Sequence, residues 1–528
     1  MSPALLKSAV IAALSGFLFG FDTVVISGAE KEIQTLWDLS NAQHGLAVGI
    51  ALWGMVLGSL IGGWPSNKFG RRSTLLGVGI LYFVSAIWSA LANDVNSFMI
   101  ARFLGGLGVG ISTVAAPLYI SEIAPPHIRG RLTGMFQFNI VFGILVAFLS
   151  NWLLGKYMDD VAWRWMLGVE AAPAIIYTLC CFTIPRSPRW LIVHENKRAE
   201  ALQVLKKVNP AASHAEIEGL ADDIAKSANS GQAKESLWNG RYRIPVLLAF
   251  LIAFFNQLSG INVILYYAPR IFALTGMGSE TALQQSIGIG VTNLLFTFVG
   301  LYLIDKLGRR TLLYIGSFGY ILSLGLIAFM FFTYSAPFKV ASSAISASDA
   351  AARVESGKGT EKEKESLKEA FAAARETLVE ATAAESYEGK ALSLDDLADT
   401  SKVTAAASAA LEESGEQSGS GGTIILLCIF AFIAAHAIGQ GAVIWVFISE
   451  IFPNAVRASG QALGSFTHWI FAALLATFFP IVIGMFPPGI IFAFFAFMMV
   501  LQLLWVKAMV PETKGVPLEE MNAKLGIS

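Results

Sequence analysis

The chain has 528 residues, of which 55% are hydrophobic and only 14% charged, with a mean hydropathy of +0.61 and a formal net charge of −1. Length alone would allow several soluble domains, but this apolar excess excludes them and identifies an integral membrane protein. A charge this close to zero leaves no footprint for nucleic acid.

Apolar runs long enough to span ~30 Å of hydrocarbon as helix recur at 6–28, 45–64, 74–92, 98–120, 130–153 and 164–184. Six more follow at 243–268, 283–303, 311–333, 423–448, 459–483 and 488–510, so twelve transmembrane helices are expected. The first run has no small-residue cleavage site and carries Asp22, which makes it a retained helix and not a signal peptide. Cys180, Cys181 and Cys428 fall inside apolar runs, where a thiol behaves as a small hydrophobe. With the N-terminus inside, the short cytoplasmic loops hold Lys68, Arg71, Arg72, Arg129, Arg131, Lys306, Arg309, Arg310 and Arg457. The short outer connections hold only Lys31, Lys156, Arg164 and Arg270, so the positive-inside rule puts both termini in the cytoplasm of a cell-membrane protein.

Two halves repeat. NKFGRRSTLL (67–76) follows the second helix and DKLGRRTLLY (305–314) the eighth; SEIAPPHIRG (121–130) follows the fourth and SEIFPNAVRASG (449–460) the tenth. Glu122 and Arg129 stand seven apart, as do Glu450 and Arg457, and the GRR turns put guanidinium forks at the membrane level of those acids. The expected fold is all-α: twelve helices in two pseudo-symmetric six-helix bundles, the design of transporters that rock around a central site. The bundles are 1–184 and 243–334 with 422–510, joined by a cytoplasmic helical linker (185–242) and ending in a tail (511–528).

The second half also carries an insertion, residues 335–421, rich in Ala, Glu and Ser, with 16 acidic and 9 basic residues and an extracytoplasmic position. Leu367, Phe371, Ala374, Leu378 and Ala381 follow helical spacing, and Ser414 to Gly422 reads as a flexible tether. It is either a solvated appendage or a lid or docking module for an unknown partner.

The seventh helix contains FFNQLSGINVILYY (254–267), with Asn256, Gln257 and Asn262 at membrane depth and a Ser259-Gly260 pair able to bend it. Amides both donate and accept without charge, which suits sugar hydroxyls in a semi-dry cavity. Asp22 in the first helix needs a counter-ion, and Arg102 at the start of the fourth supplies one. His436 and His468 are either satisfied cavity residues or a proton relay.

Together, the GRR turns, RFLGGLGVG, PLYISEIAPPHIRG, PRSPRWL, QLSGINVILYYAP and PETKG resemble the sugar porter branch of the major facilitator superfamily, over nearly the whole chain apart from the insertion. The resemblance implies a sugar cavity lined by Gln137, Asn256, Gln257, Asn262, Asn293, Trp445 and Trp469, and a proton switch made of Asp22 and Arg102. It implies a cytoplasmic gate of Arg71, Arg72, Glu122, Arg129, Asp305, Arg309, Arg310, Glu450 and Arg457. The chain departs from the family at Asn67 (usually Asp), Arg186 (usually Glu), Asn256 (often Gln), Ala437 and Ala472. Helix ten reads GQGAVIW (439–445) without the usual prolines, so its hinge is expected to be lost, with Gln440 supplying a compensating hydrogen bond.

The function expected is secondary active transport of a hexose or pentose by alternating access, as sugar–proton symport with no cofactor beyond the coupling proton, and not an enzyme. A facilitative sugar or polyol uniporter and a non-transporting nutrient sensor are the alternatives. Which sugar is carried stays open.

Overall fold

Backbone amides and carbonyls in hydrocarbon must satisfy one another, and runs of this length do so as helices. The computed structural model describes residues 2–158, 161–229, 236–356, 361–453, 455–516 and 518–527, and every regular element among them is helical. In the first bundle, segment one is Pro3–Leu36, two Asn41–Ile61, three Arg71–Leu91, four Val95–Ile123 and five Pro126–Tyr157. In the second, segment eight is Ser279–Leu307, nine Arg309–Thr333, eleven Arg457–Met485 and twelve Pro488–Met509.

Three segments are broken. The run expected as a single sixth helix is Ala162–Gly168 followed by Ala171–Cys181; among the described residues 11 other spans are each long and apolar enough to cross a membrane, and this broken pair occupies the place of the sixth. The interruption falls at Val169 and Glu170, and the Glu170 side chain is buried in the bundle. Segment seven is Arg243–Leu258 and Ile261–Tyr266, split at Gly260, whose φ of 86° is accessible to glycine at no steric cost. Segment ten breaks without proline, into Gly421–Ile438 and Gln440–Glu450. The expectation that its hinge is lost is therefore wrong. A Cβ on Gly439 would stand 2.8 Å from Gly316 Cα and 2.9 Å from the Ala435 carbonyl, so glycine makes the break by letting segment nine close on the turn.

The halves pack alike. Segment one lies on five as seven lies on eleven, and two lies on four as eight lies on ten. The bundles meet where two packs on eleven and five on eight. The two–eleven seam is at the end opposite the GRR turns: Gly45 and Gly49 sit against Thr477, and Trp53 Nε1 donates to Thr477 Oγ1 at 3.2 Å. Glycine is used here because only a missing side chain lets helices approach so closely.

The insertion is a three-helix unit, Ser335–Ser356, Glu361–Thr382 and Thr400–Ser418, with its own core of Val340, Ala344, Leu378, Ala381, Leu397 and Val403. No flexible tether follows: Ser414 and Ser418 lie inside the third helix, buried, and return their hydroxyls to the Leu411 and Gly415 carbonyls. The linker forms short helices at Pro188–Val193, Arg198–Val208 and His214–Asn229, and Ser2 Oγ donates to the Val208 carbonyl at 2.7 Å.

Candidate functional site

The break at Gly260 turns the polar residues of segment seven toward one another. Gln257 is fully buried, its Nε2 donating to Asn256 Oδ1 at 2.9 Å and its Oε1 accepting from Asn262 Nδ2 at 2.8 Å. The same Nε2 lies 3.0 Å from His468 Nδ1 on segment eleven. The His468 ring in turn meets Trp445 at 5.2 Å and Trp469 at 4.6 Å, and Trp469 stands edge-on to Phe19 of the first bundle at 5.4 Å. Three amides, an imidazole and two indoles thus form one uncharged-amide and aromatic wall reaching the bundle interface. His468 belongs to this wall, and His436 is bonded through Nδ1 to the Tyr320 hydroxyl at 2.8 Å. Gln137 (half-buried, segment five) and Asn293 (buried, segment eight) are not brought into this hydrogen-bonded cluster. Gln440 is buried with neither amide atom bonded to a described residue, so the compensating hydrogen bond expected of it is absent.

A charged cluster lies in the first bundle. Arg102 Nη1 donates to Asp22 Oδ1 at 2.5 Å and Nη2 to the Asp22 carbonyl at 3.2 Å, with both side chains all but inaccessible. Glu170, at the break in segment six, is in electrostatic contact with both. Sequence reasoning missed it, although it is an acid inside an apolar run, the same signal that singled out Asp22. Asp22 Oδ2, Arg102 Nε and Glu170 Oε1 have no hydrogen-bond partner within hydrogen-bonding distance among the described residues, so the cluster is not saturated.

The GRR turns do the same work in each half. Arg71 joins Glu122 at 2.9 Å and the Ser66 carbonyl at 3.1 Å; Arg309 joins Glu450 at 2.7 Å and the Ile304 carbonyl at 3.1 Å. The second arginines cap the last helix of each bundle, Arg72 on the Phe182 carbonyl at 2.7 Å and Arg310 on the Lys507 carbonyl at 2.9 Å. Asp305 adds a contact to Arg309 at 3.2 Å. Among the described residues each cluster closes within its own bundle and does not bridge the two. Arg457 does not pair with Glu450 despite the seven-residue spacing; it donates to the Phe452 carbonyl at 3.3 Å, because Arg309 and Thr513 already occupy the carboxylate. The side chain of Arg129 lies outside the described residues.

At the opposite end an ion pair does cross between bundles. Arg270, just after segment seven, donates to both oxygens of Glu30 on segment one at 2.9 and 2.7 Å and to Gln34 at 2.5 Å. His44 Nε2 stands 2.9 Å from Glu30 Oε2.

A family model described as "Sugar (and other) transporter" matches residues 8–348 and 402–525. The chain belongs to that family. The transporter is 29% identical to the D-xylose-proton symporter of Escherichia coli over 97% of its own length and 94% of that protein's. It is 30% identical to the arabinose-proton symporter of Bacillus subtilis, over 97% and 93% of the two chains. Its fold matches the xylose transporter of Escherichia coli, solved in a partially occluded inward-open conformation, with a TM-score of 0.70, 28% identity and coverage of 98% and 100%. The transporter's unmatched internal stretch, 349–401, falls inside the insertion.

Proposed function

We propose that this transporter carries a monosaccharide, a hexose or pentose, together with a proton across the cell membrane, both termini and the GRR turns facing the cytoplasm. The observation that carries the reading is the buried Asp22–Arg102 pair in the first bundle together with a neutral amide and indole wall that reaches the same bundle's first helix through Trp469 and Phe19. Amides suit hydroxyls, and indoles suit the C–H face of a sugar ring. In this reading Asn256, Gln257, Asn262, Trp445 and Trp469 form one side of the cavity, with Gln137 and Asn293 reaching the sugar from segments five and eight. The symporters of xylose and arabinose among its relatives support the proton as coupling ion.

The bundles touch at the end opposite the GRR turns, through Glu30–Arg270 and the two–eleven seam. That arrangement is one of two in an alternating-access cycle, closed outside and open toward the cytoplasm. The arginine clusters keep each bundle rigid, so the bundles rock as units. Protonation of Asp22 frees Arg102, and removing that attraction biases the rocking. The insertion stands on the outer face.

The deciding experiment is sugar-induced alkalinisation outside cells expressing the protein, with a panel of hexoses, pentoses and polyols. Asp22→Asn is expected to abolish accumulation and to keep sugar exchange. Sugar uptake with no proton movement at any pH leaves a uniporter.

A further inference from the structure

The insertion is fastened to the second bundle at more than its two chain connections. Gly276, in the turn between segments seven and eight, has a φ of 85°, and a Cβ there would stand 2.6 Å from Ala341 Cβ and 3.6 Å from Leu411 Cδ1. Ala341 is on the first helix of the insertion and Leu411 on the third, so two of its helices press on one turn. A Cβ on Gly422 would likewise meet Thr275 at 3.6 Å. With a core of its own, the unit is built to move with the second bundle as one body.

It also reaches the first bundle. Asp349, on the first insertion helix, takes two contacts on a single carboxylate oxygen: Lys31 Nζ at 3.2 Å and Ser279 Oγ at 3.1 Å. Lys31 lies near the end of segment one and Ser279 opens segment eight, so one carboxylate touches both bundles at the end opposite the GRR turns. The Ser279 hydroxyl holds the carboxylate in place, which reduces the side-chain entropy that pairing with Lys31 costs. Next to it, Glu280 meets Lys156 from the last turn of segment five at 3.0 Å, a second pair across the same seam. Asp349 is the first residue of the stretch that the family model leaves unmatched, so its contact is a feature of this chain's insertion and not of the shared bundles.

We propose that the insertion is an external strap: carried by the second bundle, it grips Lys31 through Asp349 and holds the two bundles together at this end. The proposal rests on the alternating-access reading above and adds a brake to one of its two steps, the opening to the outside. Glu30–Arg270 is a buried pair, and breaking it strands a charge. Asp349 and Lys31 are both exposed, so water solvates each when they part and salt screens their attraction. The strap therefore adjusts the balance between the two arrangements by a few-fold and does not lock it.

The test uses full-length protein in proteoliposomes, with spin labels at the exposed Asn96 and Thr333, one on each bundle at this end and neither in a contact named above. Asp349→Asn should raise the ratio of long to short distances about two- to fivefold, the range of one exposed ion pair. Lys31→Gln should do the same, and because it leaves the insertion intact, a shift common to both variants is not an unfolded insertion. Lys31→Asp with Asp349→Lys should return the ratio to the wild-type value, and added salt should lengthen the wild-type distances more than those of either single variant. Single variants with the wild-type ratio and salt response overturn the strap, while two interconverting distances in the wild type keep the rocking reading. An exchange that fails to restore the ratio overturns the pairing. A wild type with one unchanging distance, with and without sugar and a pH gradient, overturns both.

Discussion

Arg270 grips Glu30 through two parallel hydrogen bonds, 2.9 and 2.7 Å, and in doing so fastens the second bundle to the first. Glu30 is almost wholly buried, and truncating one partner of such a pair costs about 3–5 kcal/mol because the other charge is stranded. Glu30→Gln should therefore shift the population toward the arrangement open at this end. Spin labels on the exposed Gln43 and Glu280, one on each bundle, should report a longer distance in the variant. Exchanging the charges (Glu30→Arg with Arg270→Glu) should restore the shorter one.

The tail gives a second prediction. The Glu512 carboxylate accepts from the backbone amides of Arg309 and Arg310 at 2.9 and 3.0 Å, capping segment nine, while Thr513 Oγ1 donates to Glu450 at 2.6 Å. In the first half Ser187 donates to Glu122 at 2.5 Å in the same way, but the residue before it is Arg186, exposed and unable to accept. A carboxylate at a helix N-terminus contributes about 1 kcal/mol. Arg186→Glu should raise the apparent melting temperature by supplying the missing cap to segment three, and Glu512→Gln should lower it.

For the sugar wall, Gln257→Ala should remove the thermal shift produced by any sugar that stabilises the wild type. Without ligand, the loss should be small, since a hydrogen bond between membrane helices averages ~0.6 kcal/mol. A large loss of stability in ligand-free protein, with the sugar-induced shift retained, would make the amides structural glue.

Gly439→Ala should force its new methyl onto Gly316 and the Ala435 carbonyl. Straightening or displacing segment ten there moves Trp445, so transport should fall while expression persists. Uptake in cells, normalised to surface protein, checks it.

Within the insertion, Tyr387 donates to Glu413 Oε2 at 3.0 Å, and burial, with that carboxylate's help, pushes its phenol up to about 12 from the ordinary 10. The folded state favours the protonated phenol, so this contribution is fully present below pH 10 and is lost as pH rises through about 12. Proteolysis inside the insertion should accelerate over that window, and Tyr387→Phe should flatten the dependence.

The architecture was legible because bilayer thickness imposes a run length, and because GRR and SEI recur at matching places in the two halves. Asp22, Gln257 and Asn262 were legible as polar groups in apolar surroundings. What escaped were relations between distant segments: Glu30 with Arg270, and Glu512 with the start of segment nine. Neither has a local signature, since each residue type is ordinary where it stands in the chain. The lost hinge at Gly439 was misread because proline is one way to break a helix, and close approach of a glycine pair is another. The tether was misread because Ser414 and Ser418 are buried on the face that the third insertion helix turns to its neighbours, and that packing outweighs the weak helix preference of the exposed Gly415 between them.

The insertion leaves segment nine at Ser335 and returns at Gly421, and the Tyr334 ring packs directly on Gly421. Both ends of an independently cored unit thus meet at one point, at the end of the bundles opposite the GRR turns. That point is a natural splice site: a rigid protein marker grafted there in place of the three helices would project from the membrane without separating segments nine and ten, giving this small particle the asymmetric landmark that imaging by electron microscopy requires.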